Sequence, residues 1–459
     1  MIENLYRTES NYLWMIIHVL LGLACTINSW FLIIWVYLFI ISSFNKVLSS
    51  LMFKNSINIF IPFLVYVCSF EVFGRMLKTY PYIPWELSKY LIISSCILLL
   101  LTGYVKKPFS LGIFIIVLLV PGAIIDQSNQ VTYGDIASNL LGPFSMAILL
   151  FIIGQYELKS EEFDAILKLI WYSTIPMLIY TMINTPDYSS INFSLGAKFA
   201  TTGGFGSNQV STIIGIGMFL SFYAWMNKLL FSGNHSLDGL FIGLFAYQGF
   251  LTFSRGGMMV GIIAILFYYY FFRSSKAINE IIQIRRLRPL LFFTFAIIIV
   301  ISSFLIIQNI SGGNLSHRFS GETRGTISGE RIKTINTMTT GRYDLFIADL
   351  ELWSKYFVFG TGAGASSFLR GRGLDGIAPH TEISRLLAEH GIFGFFILII
   401  LLLCLFRIAQ MDKNNIYRAI LFVLFLIATG TALHSAMRTF VTPVFLALSM
   451  IKIKDFRLD

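Results

Sequence analysis

Apolar runs long enough to cross a lipid bilayer recur along this sequence. A helix needs roughly 17–25 consecutive, mostly apolar residues to cross the hydrocarbon core. Hydrophobic residues make up 56% of the 459 residues and charged residues only 13%, a composition far outside that of soluble globular proteins. The sequence therefore predicts an all-α, polytopic membrane protein.

About fourteen apolar runs have the length of a membrane span. They lie near residues 10–26, 28–44, 56–74, 87–104, 108–125, 137–155, 164–183, 207–226, 237–253, 256–273, 289–310, 391–409, 417–434 and 438–452. The first run lacks the short apolar region and cleavage site of a signal peptide, so it is expected to remain as a helix. The four cysteines, Cys25, Cys68, Cys96 and Cys404, show no CxxC spacing, and they indicate neither a disulfide framework nor a zinc site.

The basic residues predict the orientation in the membrane, because Lys and Arg in short loops stay on the cytoplasmic side. The strongest cluster is Arg273, Lys276, Arg285, Arg286 and Arg288. Strict alternation from this cluster places both termini in the cytoplasm. It also places a further set of basic residues there, namely Lys46, Lys54, Lys106, Lys107, Lys228, Arg407, Lys413, Arg418, Lys452, Lys454 and Arg457. The net charge of +10 is thus mainly an orientation signal, and nucleic-acid binding is not indicated.

The same alternation puts loops 75–88, 126–136, 184–206, 253–256, 311–390 and 434–438 on the outer face. A few basic side chains lie in these loops against the bias, with two histidines beside them: Lys198, Arg255, Arg342, Arg385, Arg438, His380 and His434. One interpretation is that each side chain extends to lipid headgroups. The other is an anion site, which the turn Ser254-Arg255-Gly256-Gly257 favours because its glycines allow a ligand to approach closely.

The organisation predicted from these patterns has three parts: helices in 1–310, a large external loop at 311–390, and helices with a cytoplasmic tail in 391–459. Within the loop, 311–340 is rich in Ser, Thr and Gly and predicts an irregular or mobile segment. A helix is expected near 341–357, because Phe346, Leu350, Trp353 and Phe357 form an apolar stripe at helical spacing.

Two polar features accompany this predicted helix. Thr340 is the expected N-cap, and Asp344 favours the first turn. Arg342 continues the apolar stripe, so its guanidinium should point toward the protein body. The alternative is that Arg342 pairs with Asp344 or Asp349 on an external helix.

His380 directly precedes a second predicted helix at about 381–390, which ends at Gly391. A helix N-terminus lowers the pKa of imidazole and favours the neutral form, as a general base requires. His390 is expected to cap the end of this helix. The intervening Gly360-Thr361-Gly362-Ala363-Gly364 predicts a flexible turn, and it is a poor phosphate loop because no strand precedes it and no Lys follows it.

These segments together resemble a known family. The relevant residues are Gly341-Arg342, Trp353, Gly360 to Gly364, and His380-Thr381, followed after nine residues by Gly391-Ile392-Phe393-Gly394. Their order and spacing are similar to the signature of the O-antigen ligase and O-antigen polymerase superfamily. Ser254-Arg255-Gly256 resembles its Ser-Arg-Gly turn, and Gly206-Ser207-Asn208-Gln209 resembles its proline-asparagine helix start. Thr381 replaces the usual Asn, Ser or Gln, and Ser207 replaces the usual proline.

The resemblance implies a metal-independent, inverting glycosyltransferase of the helical GT-C fold in the bacterial inner membrane, with its active site facing the periplasm. The implied donor is a glycan on undecaprenyl pyrophosphate, and the acceptor is a glycan or lipid A-core. Arg255 and Arg342 would bind the pyrophosphate, and His380 would activate the acceptor hydroxyl. Residues expected to support them are Ser254, Asn208, Thr381, Arg385, Arg438 and His434. No cofactor or metal is implied, and a chain-length regulator is a further expected partner.

Elementary chemistry agrees with these roles. Preorganised arginines stabilise the charge on a pyrophosphate leaving group. A retaining or hydrolytic mechanism would need two carboxylates, and the external Asp349 and Glu351 are separated by about 200° around a helix and cannot share a substrate. Metal-dependent relatives that use dolichyl-phosphate sugars need acids in the first external loop, and residues 26–29 contain none.

Two alternatives remain open. A transporter for lipid-linked sugars would show ionisable groups at mid-membrane and an internal repeat; His18 and Glu71 are the main candidates for such groups, and no repeat is visible. Within the superfamily, about fourteen spans rather than twelve favour a polymerase of repeat units over a ligase.

Overall fold

The architecture is that of a computed structural model, which describes residues 10–53, 60–101, 105, 108–273, 287–371, 373–377, 379–412 and 417–454, with the side chains of 43–53, 287 and 288 excepted. Several basic residues used for the orientation prediction lie outside the described residues or have undescribed side chains: Lys46, Lys54, Lys106, Lys107, Lys276, Arg285, Arg286, Arg288, Lys413 and Arg457.

The described chain is almost entirely helical. In order, the elements are α1 (Asn11–Ile27), α2 (Trp30–Phe53), α3 (Phe60–Cys68), α4 (Glu71–Met76), α5 (Leu87–Leu101), α6 (Ser110–Ile124), α7 (Tyr133–Ile153), β1 (Glu157–Lys159), α8 (Ser160–Ile183), α9 (Ser207–Asn227), α10 (His235–Leu251), α11 (Arg255–Arg273), α12 (Leu287–Ile310), α13 (Asn314–Phe319), α14 (Arg324–Ile327), α15 (Ile335–Thr339), α16 (Arg342–Lys355), α17 (Ser366–Leu369), α18 (Glu382–Ala409), α19 (Arg418–Ser435), α20 (Val441–Ser449) and β2 (Lys452–Lys454). Two single-turn 3₁₀ helices, Tyr188–Ser190 and Ala200–Thr202, lie between α8 and α9. β1 and β2 form a parallel pair in which Glu157 lies opposite Lys452.

The predicted helical class is confirmed, and each of the fourteen predicted intervals contains a helix, the third interval being divided between α3 and α4. By length and composition, seven helices in the described part of the chain could cross a membrane: α7, α8, α9, α11, the Pro289–Ile310 part of α12, α18 and α19. Four shorter apolar helices, α1, Trp30–Ser42 of α2, α5 and α6, accompany them. Fourteen crossings and the GT-C fold stay predictions.

The centre of the bundle is formed by α8 and α9, in whose most apolar stretches 78% and 89% of the residues are buried, against 22% in α12. Small residues bring α9 and α11 close together. A Cβ added to Gly215 would lie 2.5 Å from the Gly257 carbonyl oxygen, and one added to Gly261 would lie 2.6 Å from the Gly215 carbonyl oxygen. Such small-residue contacts let membrane helices approach each other closely. This packing holds the first turn of α11 beside the first turn of α9.

The segment 311–340 is more ordered than the sequence predicted. It contains the three short helices α13, α14 and α15. Thr323 and Thr334 cap the last two, each accepting a hydrogen bond from a backbone N–H three residues later. The prediction of an irregular segment is therefore wrong, because helices this short show no apolar periodicity and depend on capping instead.

The predicted N-cap is also wrong. Thr340 has a φ of 55° and ends α15, and Gly341, with a φ of 81°, is the N-cap of α16. The backbone N–H of Gly341 bonds to the Asn336 carbonyl. Two consecutive left-handed residues reverse the chain between α15 and α16, which places both helices against the same cavity.

The Gly360–Gly364 turn is not a free flexible loop. Its amides at Thr361, Gly362 and Ala363 donate to the carbonyls of Ala388, Glu389 and Gly122, respectively. Because these amides already have partners, they cannot bind a phosphate. The turn instead packs against α18 where that helix is broken by the non-helical Gly391.

Candidate functional site

A cavity of about 460 Å³ lies where several helix ends meet. Its walls come from the starts of α9 and α11, from α13, from the α15–α16 turn, and from α18 and α19. The lining residues are Asn208, Arg255, Gly256, Arg318, Met338, Thr339, Thr340, Arg342, Tyr343, Phe346, Thr381 and Leu433. The structure thus brings together four residues that the sequence indicated: Asn208, Arg255, Arg342 and Thr381.

Ser254 and His434 lie behind the wall that Asn208 and Arg255 form. Ser254 is buried, and its hydroxyl donates to the Asn208 side-chain oxygen at 2.9 Å. His434 has its Nε2 2.9 Å from the Thr212 hydroxyl and its Nδ1 2.8 Å from the Gly430 carbonyl oxygen. Both nitrogens therefore have protein partners. Its ring leaves no room for a Cβ at Gly256, so these two residues hold the α11 start in place.

Three arginines line the cavity, and none of them has a carboxylate partner in the described part of the chain. Among the described residues, no Asp or Glu oxygen lies within 4.0 Å of Arg255, Arg318 or Arg342. Burial and the neighbouring Arg255 and Arg342 lower the pKa of Arg318 to about 10. Burial, with Arg255 and Arg438, lowers the pKa of Arg342. Because the positive charges repel each other, the cavity favours an anionic ligand.

The alternative pairing of Arg342 with Asp344 or Asp349 is wrong. Asp344 accepts a hydrogen bond from the Asn336 side chain. Asp349 accepts from Arg370 and from Ser384, both at 2.7 Å. Both carboxylates are therefore already bonded, and neither neutralises Arg342.

His380 is half-buried and directly precedes Thr381, the N-cap of α18. Burial first, and then the positive charges of Arg438, Arg342 and Arg370, lower the pKa of His380 to about 4. The pKa of His380 is lowered, as expected from the sequence, but the cause is burial and the neighbouring arginines rather than the helix N-terminus alone. The imidazole is neutral at physiological pH and can accept a proton.

Arg438 links the backbone next to His380 to a buried polar network. Its Nη2 donates to the Pro379 carbonyl oxygen at 2.8 Å. Arg75 donates from Nη1 to the Arg438 carbonyl oxygen at 2.7 Å and from Nη2 to Glu71 at 2.7 Å. The Glu71 carboxylate also accepts from the Phe440 N–H at 2.8 Å. Glu71, a candidate for a mid-membrane charge, thus has fixed partners.

Three predicted residues lie away from the cavity. Arg385 pairs with Glu382 and Glu389 and donates to Asn139 of α7 at 2.7 Å, so it links α18 to α7. The Lys198 ammonium donates to Ser194 at 2.6 Å. His390 is not an exposed cap: it is buried against Gly122, and its Nδ1 has no partner among the described atoms.

Sequence reasoning missed Arg318, Arg370 and Arg75. Arg318 lies in a loop assigned to the outer face, so the rule that identified Arg255 would also have identified Arg318. The segment 311–340 was instead interpreted as irregular. For Arg75 and Glu71, the spacing of four residues on one helix was an available signal. Arg370 lies in a Gly-rich stretch, and no local pattern indicates its buried partner.

No group of three or more His, Cys, Asp or Glu placed to hold a metal ion occurs in the described ranges. A family model described as O-antigen ligase matches residues 240–399. This region contains Arg255, Arg318, Arg342 and His380, but not Asn208 or Arg438. No curated protein and no solved structure matches the chain.

Proposed function

We propose, on the premise that residues 240–399 belong to the O-antigen ligase family, that this protein is a membrane glycosyltransferase. It moves a glycan from undecaprenyl pyrophosphate to an acceptor sugar hydroxyl on the periplasmic side of the inner membrane. The observation that carries the proposal is the convergence of Arg255, Arg318 and Arg342 on one cavity without a described carboxylate partner, close enough to His380 for Arg342 to lower its pKa.

In the proposed reaction, the acceptor hydroxyl gives its proton to the His380 imidazole as its oxygen attacks the anomeric carbon of the donor. The bond between that carbon and the phosphate oxygen breaks, and its electron pair stays on undecaprenyl pyrophosphate. Arginines aimed at the leaving group stabilise this charge more in the transition state than in the ground state. A single displacement inverts the anomeric centre and needs no metal, consistent with the GT-C type.

Donor binding strengthens the proposed base. In the free protein, Arg342 and Arg438 lower the pKa of His380. A bound pyrophosphate brings negative charge to the same arginines, offsets their effect, and so raises the pKa of the imidazole. His380 therefore becomes a better proton acceptor when the donor is in place, which favours transfer only from the loaded enzyme.

The polymerase branch is our preferred assignment, with another lipid-linked repeat unit as acceptor and a chain-length regulator as partner. It rests on the sequence prediction of about fourteen spans rather than twelve; in the described part of the chain, seven helices are long and apolar enough to cross a membrane. Ligation to lipid A-core uses the same donor chemistry and is the alternative. The proposal includes the sequence-based prediction that both termini lie in the cytoplasm.

The transporter alternative receives less support. Glu71 is paired with Arg75, and His18 bonds through its two ring nitrogens to the Trp14 carbonyl and the Tyr66 hydroxyl, each at 2.7 Å. Both groups have fixed partners within the bundle. Neither side chain is an unpaired ionisable group of the kind that binds a transported ligand within a membrane protein.

The test is glycan transfer by purified protein in lipid nanodiscs, supplied with a lipid-linked repeat unit. Wild type is expected to extend the glycan, and His380→Ala is expected to lose about 10²–10⁴-fold in rate because the general base is gone. Donor binding should be retained, since the arginines are unchanged. EDTA should leave the wild-type rate unaltered.

His317→Ala is the matched control, because His317 is exposed on α13 and does not line the cavity. It should keep the wild-type rate. Normal transfer by His380→Ala would remove His380 from the mechanism, and EDTA inhibition reversed by Mg²⁺ would contradict metal-free catalysis.

A further inference from the structure

A buried ion pair joins α16 to the chain that leads into His380. The Arg370 Nε lies 2.7 Å from the Asp349 Oδ1, and both residues are 1% exposed. Burying two charges removes their hydration, and the attraction between them does not reliably repay this cost. Stability alone is therefore a weak explanation for the pair.

The pair holds the backbone on both sides of His380. Arg370 donates from Nη1 to the Ile377 carbonyl oxygen at 2.6 Å, before the histidine. Asp349 accepts through Oδ2 from the Ser384 hydroxyl at 2.7 Å, after it. The Ser384 hydroxyl is also hydrogen-bonded to the Thr381 hydroxyl. The segment that carries His380 is thus fixed at two points by one buried unit.

The same helix carries a cavity arginine. Arg342 begins α16 and lines the cavity, while Asp349 lies two turns further along. A helix is a stiff connection, so the Asp349–Arg370 pair fixes the position of His380 relative to Arg342. In the proposed reaction, this is the relation between the base and the leaving group.

We propose that Asp349 and Arg370 form a clamp that positions His380 for proton transfer, and that neither residue touches the substrate. This inference rests on the proposed function. Both are positioning residues: their loss should lower kcat while donor affinity stays the same. Misplacing a catalytic group by about 1 Å can reduce the rate about 10²-fold.

The decisive variant is Asp349→Leu with Arg370→Met. Apolar replacement of both partners leaves no unpaired buried charge and often preserves stability, but it removes the bonds to Ile377 and Ser384. We expect the double variant to fold, to bind the lipid-linked donor as wild type does, and to lose about 10²-fold in kcat.

A pH profile separates the charge effect of Arg370 on His380 from its positioning role. The charged groups that act on His380 are Arg438, Arg342 and Arg370. Without Arg370, less positive charge opposes protonation, so the pKa of His380 rises and the acid limb of kcat/KM should move to higher pH. The shift of the limb reports the lost charge of Arg370, whereas the fall in kcat at the pH optimum, with donor affinity unchanged, reports the lost positioning of His380.

Lys168→Met is the matched control, because Lys168 is a buried cation of α8 that bonds to Asn11 at 2.8 Å and does not line the cavity. It should lower the melting temperature and keep kcat. An equal loss of kcat in this control would attribute the effect to general destabilisation and overturn the clamp.

Wild-type kcat and pH profile in the folded double variant would also overturn it. Should the double variant fail to fold, Ser384→Ala provides the test: it removes the hydroxyl that joins Asp349 to Thr381 and leaves the buried ion pair intact. Its kcat should fall with donor affinity unchanged, and unchanged kcat would refute the clamp. If wild type itself transfers no glycan, the proposed function fails instead.

Discussion

Arg255, Arg318 and Arg342 give the cavity its chemical character, because each presents a planar fork of N–H donors. Arg318 uses its Nε for the Phe253 carbonyl oxygen at 3.2 Å. A guanidinium can bind two phosphate oxygens side by side, and an ammonium cannot. The cavity therefore selects by geometry as well as by charge.

Arg255→Lys and Arg342→Lys are each expected to lose most transfer activity, although the charge is kept. The loss should appear in donor affinity, because the phosphate contact exists in the ground state, and in kcat, because that contact strengthens as charge develops in the transition state. Steady-state kinetics with the lipid-linked donor is the measurement. Arg318→Lys should behave similarly.

Arg324→Lys is the control for this series, because Arg324 is exposed on α14 and does not line the cavity. The Arg324→Lys variant should keep the wild-type donor affinity and kcat. Wild-type rates in both Arg255→Lys and Arg342→Lys would instead favour arginines that merely extend to lipid headgroups.

The depressed pKa of His380 predicts a difference between two pH profiles. The base acts in its neutral form, so activity is present above the pKa and is lost as pH falls through it. For kcat/KM, which reports the free enzyme, the acid limb is expected near pH 4. For kcat, which reports the donor complex, the limb should lie at higher pH because bound pyrophosphate offsets Arg342 and Arg438. Acid limbs at the same pH in the kcat/KM and kcat profiles would contradict the proposed effect of bound pyrophosphate on the pKa of His380.

At the scale of elements, the break in α18 shapes the site. Gly391 has φ 59° and ψ −130°, a conformation that is essentially restricted to glycine. A Cβ there would lie 2.5 Å from the Gly360 nitrogen and 2.6 Å from the Val358 carbonyl oxygen. The break separates the short helix that follows His380 from the apolar helix beyond it, and the two parts can take different directions.

Gly391→Ala is expected to lower the thermal stability of the detergent-solubilised protein. The backbone strain alone costs about 1–3 kcal/mol, and the overlap with backbone atoms adds to it. Gly312→Ala provides the comparison, because Gly312 has the same φ of 59° but no atom within 4 Å of an added Cβ. Equal melting temperatures for the two variants would show that crowding at Gly391 is unimportant.

Elements with a long apolar pattern could be predicted from the sequence, and those held by caps or tertiary contacts could not. The stripe from Phe346 to Phe357 predicted a helix near 341–357, and the structure has α16 at Arg342–Lys355. The helices α13 to α15 have too few residues for a periodic signal. Arg370 reaches its partners through folding, since Asp349 and Ile377 lie on either side of it in sequence.

At the scale of the whole molecule, the branch of the family determines what a cell without this protein would display. For a polymerase, a deletion strain should carry surface glycan only one repeat long, because single units are still made and attached. Gel analysis of surface glycan is the measurement. Long chains left on the lipid carrier would identify a ligase and would leave the chemistry assigned to His380 intact.

The buried network of Glu71, Arg75 and Arg438 also has a consequence for how the protein is made. Glu71 accepts from the Phe440 N–H, 369 residues later, and Arg75 donates to the Arg438 carbonyl oxygen. At a translation rate of roughly 5–20 residues per second, these partners are synthesised on the order of 20–70 s after α4. Glu71 and Arg75 neutralise each other across one helical turn in the meantime. The backbone next to His380, to which Arg438 donates at Pro379, therefore gains this support only late in translation, and a nascent chain that stops before Arg438 carries Arg255, Arg318 and Arg342 but lacks it.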